Sequence, residues 1–357
     1  MTGKRHPRHY EKSIEILNSY DGRSPFPIYL NTLFKSNRNW GSKDRRSYRE
    51  LCYLILKNYR LFEILNGSLK LQLLKDLDIG IKESDAHPYE KIHSQISPAI
   101  SMSDLNNWYH EQPPVFFYSW DKKLQLDHLG GIFIESSESW LFTDNIDLNK
   151  FVVSGEGIIQ DISSTLLVNH YAPLFENKKV WDCCSGAGGK ALMISHLTKN
   201  TELICSDIRS QIIENLKIRF IQNNLKTPEV SILDVSKPIE SKSLNNVEVV
   251  LADVPCTGSG TWRRNPEVLA FFKTDTLQIY AERQLNILRE IAKINSIQTI
   301  VYCTCSIFSE ENEKVIETFL GEFTQYECLE QHYHGEVKNL EKRGDYLFSA
   351  RLERKDY

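Results

Sequence analysis

Two cysteines stand where a chain can put a thiol to work. Cys256 follows Asp253-Val254-Pro255 at the end of an apolar run, Val249 to Ala252, and opens a glycine-punctuated loop that continues through Arg263 and Arg264 to Pro266. Cys305 lies in Cys303-Thr304-Cys305-Ser306, just beyond a second apolar run, Ile297 to Tyr302. Such runs read as buried strands of a parallel sheet, whose reactive groups sit past the carboxyl ends of the strands. A thiolate there can add to an electron-poor carbon, and a second thiol beside it can carry a proton. Both cysteines are therefore expected to be accessible. A lone cysteine is more simply a small buried hydrophobe, and Cys52, Cys183, Cys184, Cys205 and Cys328 are read that way.

A ligand loop precedes both thiols. Ser185-Gly186-Ala187-Gly188-Gly189-Lys190 follows the run ending at Cys184 and feeds a helical pattern. Glycine lets the backbone turn tightly and pass close to a ligand. Asp207 closes the next strand, where a carboxylate commonly takes ribose hydroxyls, and Asp234 closes the one after it. The loop alone fits a nicotinamide, a flavin or S-adenosylmethionine. Gly-x-Gly-Gly lacks the third glycine of the dinucleotide fingerprint, and carboxylates at successive strand ends suit a cationic ligand with a ribose and an adenine. S-adenosylmethionine is thus the preferred ligand. The competing use of each aspartate is to cap the helix that follows.

These stretches need a scaffold that holds strand ends side by side. From Lys178 onward, strand-like runs at Lys179 to Cys184, Leu203 to Asp207, Val230 to Asp234, Val247 to Asp253 and Thr299 to Cys303 alternate with helical ones at Ala191 to Leu197, Ile212 to Asn223 and Leu277 to Ile294. Alternation of this kind predicts an α/β, doubly wound, Rossmann-like sheet with right-handed crossovers. Glu310 to Leu320 is a further helix, and Phe323 to Cys328 with Tyr346 to Leu352 are two closing strands, paired antiparallel at the sheet edge. Gln160 to Ser164 caps a helix running to about Pro173. This region, 161–357, is the expected catalytic domain.

Ahead of it, 104–160 reads as a small mixed α/β region with strands at Val115 to Tyr118 and Gly131 to Ile134. Its aromatics are a packing surface or, alternatively, a platform for unpaired bases. Residues 1–103 form an expected helical domain, with helices over 9–19 and 43–65, the second capped by Ser42. Residues 1–60 hold 13 Lys and Arg against 5 Asp and Glu, whereas the whole chain of 357 residues carries a net charge of −4. This asymmetry marks either a basic face for nucleic acid or a solvated terminus.

A hydrophobic fraction of 41% is ordinary for a chain that buries its own core. No Cys-x-x-Cys pair occurs to hold zinc, and no metal is implied. Neither a signal peptide nor a membrane-length apolar run is found, so a reducing, cytoplasmic setting with free thiols is expected. No oligomer is implied.

Carbon-5 of cytosine is too weak a nucleophile to take a methyl group unaided. A thiolate added at carbon-6 turns it into an enamine-like nucleophile, and a base must later remove the carbon-5 proton so that the thiolate can leave. Two thiols at neighbouring strand ends fit that pathway. In family order, GIIQDISS, VWDCCSGAGGK, LADVPCTGSGTWRRNPE and VYCTCSIFSEENEKVI resemble the motifs of the RNA cytosine-5 methyltransferases of the bacterial RsmB and eukaryotic Nop and NSUN type. The resemblance implies that Cys305 is the nucleophile, that Cys256 promotes release, and that Lys190 and Asp253 contact the target base. It also implies an S-adenosylmethionine site formed by Cys184, Ser185, Gly186, Ala187, Gly188, Gly189, Lys190, Asp207, Arg209, Asp234, Asp253 and Pro255. Arg263, Arg264 and Gln160 are the expected RNA contacts, the arginines through phosphates. Glu311 and Asn312 are expected to orient the loop after Cys305.

Some features depart from the family. Asp44 to Tyr53 resembles only a segment of the NusB-like helical domain that bacterial members carry. Phe116 to Trp120 stands where many members have Arg-Val-Asn, and Gly344-Asp345-Tyr346 where a Gly-Phe pair is usual. The expected substrate is structured RNA, ribosomal RNA first. Transfer RNA or DNA, or a role as a ribosome-assembly factor with little turnover, are the alternatives, and the motif around Cys305 argues against DNA.

Overall fold

The computed structural model describes residues 5–63, 65, 67–79, 88–144, 146–239, 244–334 and 344–355. The chain divides into two compact units, one of Met1–Ser94, Asn106–Glu111 and Trp262–Lys273 and one of Gln95–Leu105, Gln112–Thr261 and Thr274–Tyr357. Contacts thus draw two units where the sequence suggested three regions. They also place Trp262–Lys273, expected inside the catalytic region, with the N-terminal helices.

The larger unit is built on seven strands. β5 (Lys179–Asp182), β6 (Glu202–Asp207), β7 (Glu229–Ile232), β8 (Val249–Asp253) and β9 (Thr299–Thr304) are joined by α9 (Gly189–Leu197), α10 (Ser210–Gln222) and α12 (Asp275–Ala292). After β9 come α13 (Glu313–Glu322), β10 (Tyr326–His334) and β11 (Leu347–Arg354). The order is β10-β11-β9-β8-β5-β6-β7, parallel from β7 through β9, with β11 antiparallel to both neighbours. This is the anticipated Rossmann-like class I sheet, and the two closing strands pair antiparallel at its edge as expected, with β11 between β9 and β10. β8 and β9 are buried on both faces because their Val, Ile, Leu and Tyr runs fill a core on each side. The winding reverses between β5 and β8, so a crevice opens at the carboxyl ends of those two strands.

A four-stranded antiparallel sheet, β2-β3-β1-β4, belongs to the same unit, with β1 at Val115–Ser119, β2 at Ile132–Ile134, β3 at Ser139–Phe142 and β4 at Gly157–Ile159. Phe116, Phe117 and Tyr118 are buried, as packing requires, while Phe133 is 48% exposed. α8 (Ile162–Phe175) follows, capped by Asp161, which accepts from the Ser163 N–H at 2.9 Å. Asp161 also accepts from the Asp345 N–H at 3.0 Å, and a Cβ on Gly344 would fall 2.2 Å from Ser163 Oγ. Glycine at 344 is therefore needed for this close approach.

The smaller unit is helical: α1 (Pro7–Asn18), α2 (Phe26–Ser36), α3 (Ser42–Lys57), α4 (Tyr59–Glu63) and α5 (Gly67–Asp78), with the short α11 (Pro266–Ala270) supplied by the distant segment. α2 was not anticipated; Pro27 sits in its first turn, where a missing N–H costs nothing. α3 starts at Ser42 rather than being capped by it, and the Gly41 N–H is bound by Asp44 at 2.9 Å. The helix expected over 43–65 breaks at Asn58, whose amide bonds the Leu54 carbonyl at 2.9 Å.

Candidate active site

Both cysteines lie past the ends of their strands, half-buried, with sulfurs 3.3 Å apart. Backbone bonds sew the two loops together: Val254 N–H to the Cys303 carbonyl at 3.1 Å and Gly260 N–H to the Cys305 carbonyl at 2.9 Å. Gly260 admits no side chain, since a Cβ would stand 2.0 Å from the Tyr346 carbonyl oxygen. The Cys256 thiol is pushed well up by its hydrogen bond to Cys305 and by burial.

Beneath the sulfurs lies a buried polar hub. Glu311, 0% exposed, accepts from Thr257 N at 2.9 Å, Thr257 Oγ1 at 2.5 Å, Ser306 Oγ at 2.5 Å and Gln284 Nε2 at 3.1 Å. The Gln284 amide also donates to the Pro255 carbonyl at 3.0 Å, and Tyr302 donates its hydroxyl to the Glu311 carbonyl at 2.6 Å. Asn312 accepts from Thr304 Oγ1 at 2.5 Å and donates to the Ser306 carbonyl at 2.9 Å. The residue after each cysteine, Thr257 and Ser306, is thus tied to one carboxylate, while Pro255 is held through Gln284 and Thr304 through Asn312. Burial raises the Glu311 carboxyl above its ordinary range, against the pull of these hydrogen bonds. Glu311 and Asn312 orient the loop as expected; Gln284 was missed, although a glutamine in the apolar stripe of α12 was the available signal.

Lys190, in the first turn of α9, reaches Asp253 at the end of β8, with Nζ 2.6 Å from Oδ2. Burial opposes the ammonium, yet Asp253 and neighbouring sulfurs outweigh it, and the Lys190 pKa is raised. The Cys303 thiol donates to the other Asp253 oxygen at 3.5 Å. Asp182, at the end of β5, is pushed up to about 8 by burial and by Asp253.

Asp253 also lines a cavity of about 330 Å³ with Cys183, Cys184, Asp207, Ile208, Arg209, Leu233, Asp234, Val235, Ser236, Pro255, Arg283 and Ile287. Six expected residues are there: Cys184, Asp207, Arg209, Asp234, Asp253 and Pro255. Ser185, Gly186, Ala187, Gly188, Gly189 and Lys190 form the adjoining loop instead of the wall. Gly186 donates its N–H to Asp207 at 3.1 Å, Arg219 donates to the Ala187 carbonyl at 2.7 Å, and Gly188 takes the left-handed conformation at the start of α9. Burial works against the Asp207 carboxylate, but Arg209, bound through its backbone and guanidinium at 2.9 Å, and Gly186 hold its pKa below the ordinary range. Asp234 lies two residues beyond β7 and also caps its own turn through Ser236 N and Oγ. Leu233, Val235 and Ile287, the apolar wall, were not singled out from sequence. Cys184 and Cys328, read as buried, are only partly so.

The expected RNA contacts separate. Arg263 is 1% exposed, with its guanidinium 5.0 Å over the Trp108 ring in the smaller unit. That burial corrects the expectation that it holds a phosphate: the guanidinium forms a cation–π packing contact. Arg264 is exposed. Gln160 is half-buried against the glycine loop, where a Cβ on Gly189 would lie 2.6 Å from its Oε1.

The model of the family described as 16S rRNA methyltransferase RsmB/F matches residues 171–350, which include both cysteines, Lys190 and Asp253. The chain belongs to this family. It is 32% identical over 216 residues to the probable ribosomal RNA small subunit methyltransferase B of Bacillus subtilis, covering 58% of this chain and 48% of that protein. The chain spans about half the length of the curated RsmB relatives it matches, 48% and 47% for two of them. Among solved structures, PH0851 superimposes with a TM-score of 0.73 at 18% identity, over 99% of this chain and 100% of that one. NSun6 from Pyrococcus horikoshii, solved with SFG, gives 0.59 at 13% identity, over 71% of this chain and 94% of that one. These two likenesses establish the fold.

Proposed function

We propose that this RsmB/F-family protein is an RNA cytosine-5 methyltransferase that uses S-adenosylmethionine, acts on ribosomal RNA and works in the reducing cytoplasm. The observation that carries the proposal is the sulfur pair, 3.3 Å apart at the ends of β8 and β9, beside the Lys190–Asp253 pair. The cavity fits the cofactor: Asp207 and Asp234 offer carboxylates for a ribose and a cation, and Leu233, Val235 and Ile287 offer an apolar wall for an adenine. S-adenosylmethionine would supply an electrophilic methyl group there.

The chain's own residues do the remaining work. Cys305, as thiolate, forms a bond to carbon-6 of a cytosine taken out of its stack, and the electron pair displaced from the carbon-5–carbon-6 bond makes carbon-5 nucleophilic. Asp253, held by Lys190, accepts a hydrogen bond from the amino group, and the Lys190 ammonium beside it steadies the negative charge that develops on the ring. The hydrogen bond to Cys305 is the largest cause of the raised Cys256 pKa. Once Cys305 is a thioether it is no longer a second thiolate beside Cys256, which gives its proton to solvent and serves as the base. As thiolate it takes the carbon-5 proton, the carbon-5–carbon-6 double bond returns, and the carbon-6–sulfur bond breaks to restore the Cys305 thiolate. In the smaller unit, Lys35, Arg45, Arg46 and Arg49 line one concavity with Asn31, Phe34 and Ser42, a surface suited to RNA phosphates.

The test uses undermethylated ribosomal RNA and methyl-labelled S-adenosylmethionine. Labelled 5-methylcytidine is expected in digests. Cys256→Ala should accumulate a denaturation-resistant protein–RNA adduct, and Cys305→Ala should lose methyl transfer by more than about 10⁴-fold without forming one. An adduct trapped through Cys256 would reverse the roles. Cofactor binding without any labelled nucleoside would favour an RNA-binding assembly factor.

A further inference from the structure

On the side of the sheet that faces α8, the larger unit carries a second group of chemistry-bearing side chains, which the proposed reaction does not use. β10 pairs with β11 in register from Tyr326 to Cys328, slips by one residue, and resumes from Glu330. The slip is a bulge at Leu329, and because side chains alternate along a strand it reverses which of them face α8. Tyr326, Cys328 and Tyr333 keep to the core with Leu352, Ala350 and Phe348, while Glu330, His332 and His334 take the opposite face. Without the extra residue, Glu330 would point into that core.

α8 supplies the fourth member. His170 Nε2 lies 3.2 Å from Glu330 Oε1, and His332 Nε2 lies 3.0 Å from Glu330 Oε2. The ligand atoms of His170, Glu330 and His332 all fall within 4.8 Å of one another. His334 stands behind them, its ring 6.1 Å from His332 and 6.3 Å from His170, with Nε2 bound to Ser349 Oγ at 2.9 Å. Two imidazoles and one carboxylate on a short radius form a donor set that suits zinc and its neighbours in the transition series, with the fourth position left to water.

We propose that His170, Glu330 and His332 form a divalent transition-metal site that clips α8 to the edge strand β10. Each ring turns Nε2 towards the one carboxylate. Coordination through Nε2 would move each ring proton to Nδ1 by way of solvent, and the three donors would converge on the ion. No electron transfer is involved, and neutral rings need release no net proton. His170 and His332 have side-chain exposures of 42% and 43%, so an ion can reach them from solvent and replacing them empties no core. From sequence the site was hidden because His170 lies 160 residues from Glu330, which leaves the Glu330-x-His332 pair alone on its strand without a recognisable zinc motif.

The experiment uses the tag-free full chain, stripped with a chelator and titrated with zinc by calorimetry, then with cobalt by absorption spectroscopy. One zinc per chain is expected, with a cobalt spectrum that lacks the sulfur-to-metal charge-transfer band. His170→Ala and His332→Ala, checked for native circular dichroism, should each weaken binding by more than about tenfold. Zinc should raise the melting midpoint of the parent and leave that of either variant unmoved. Equal zinc uptake by parent and variants would overturn the proposal, as would no uptake at all. A cobalt band of sulfur origin that vanishes when the thiols are blocked would place the metal on the cysteines and overturn it too.

Discussion

The ends of β8 and β9 and the ends of β5 and β6 belong to one sheet and are built in opposite ways. Around the sulfurs, position is fixed by side chains: Glu311, Asn312, Gln284 and Ser306 are all fully buried and bonded to one another or to the loops they hold. Around the cavity, the loop is fixed by backbone and glycine bonded to the buried Asp207, while Arg209 reaches outward with its side chain 62% exposed. The difference follows from what each rim must do. A covalent step between a base and two sulfurs fails when either sulfur drifts by an ångström, whereas a cofactor site needs donors on its rim and empty volume within.

The contrast can be broken most severely at Gly260. Alanine there must displace the Tyr346 carbonyl, so Gly260→Ala should lower the unfolding free energy by roughly 3 kcal/mol or more, measured in urea. A loss below 1 kcal/mol would mean that the sulfur rim is as yielding as the cofactor rim. Glu311 sharpens the same point. Glu311→Ala strands four donors and should cost about 2–4 kcal/mol of stability. It should also lower methyl transfer at least about 10²-fold through misplaced sulfurs, with cofactor affinity unchanged. Glu311→Gln, which retains an acceptor, should lose less than half as much stability. A variant that kept full turnover after losing the hub would show that the hub serves folding alone.

Much of this was legible in the chain. Four apolar runs led to β5, β6, β8 and β9, because a strand buried on both faces has little freedom in composition; the edge strand β7 is largely exposed and was read from its place in the alternation. Cys256, Cys305, Asp253 and Lys190 came into view because each stands at the end of such a run or the start of a helix. What stayed hidden depends on distance. Gln284 belongs to the sulfur hub through a partner 27 residues away in sequence, and His170 meets Glu330 across 160 residues. Arg263 looked like a phosphate ligand beside Cys256, but Trp262–Lys273 packs with the N-terminal helices and buries it. The bulge at Leu329, which decides the facing of three side chains, leaves no mark in a pattern of alternating polar residues.

Asp207 offers the next, smaller test, directed at the cofactor rim. Its two oxygens already take four hydrogen bonds, from Gly186, from the Arg209 backbone and twice from the Arg209 guanidinium, which fills the lone-pair sites of a carboxylate. A ribose can gain this carboxylate only if Arg209 swings aside, and the side chain is exposed enough to do so. Asp207→Asn should therefore weaken S-adenosylmethionine binding by about 10- to 100-fold, the worth of a charged hydrogen bond, with turnover at saturating cofactor within about threefold of the parent. The pH dependence has a fixed sign. The folded pKa is depressed, so the stability Asp207 contributes is present above the ordinary carboxylate range and disappears as pH falls through the lowered value. Asp207→Asn should flatten that part of an acid-unfolding curve.

Gly186→Ala carries the smallest expected effect and completes the pairing with Gly260. A Cβ at Gly186 meets nothing within 4 Å, so the only penalty is the left-handed backbone at φ 53°. That strain costs a non-glycine residue about 1–2 kcal/mol, and part of it is returned because alanine restricts the unfolded chain more than glycine does. Gly186→Ala should accordingly lower unfolding stability by about 1 kcal/mol and shift cofactor affinity by no more than about tenfold, read by urea titration and calorimetry. If instead it proved as damaging as Gly260→Ala, the backbone of the cofactor rim would be as constrained as the thiol loops. The division between a rim fixed by buried side chains and one fixed by glycine and open space would then fail.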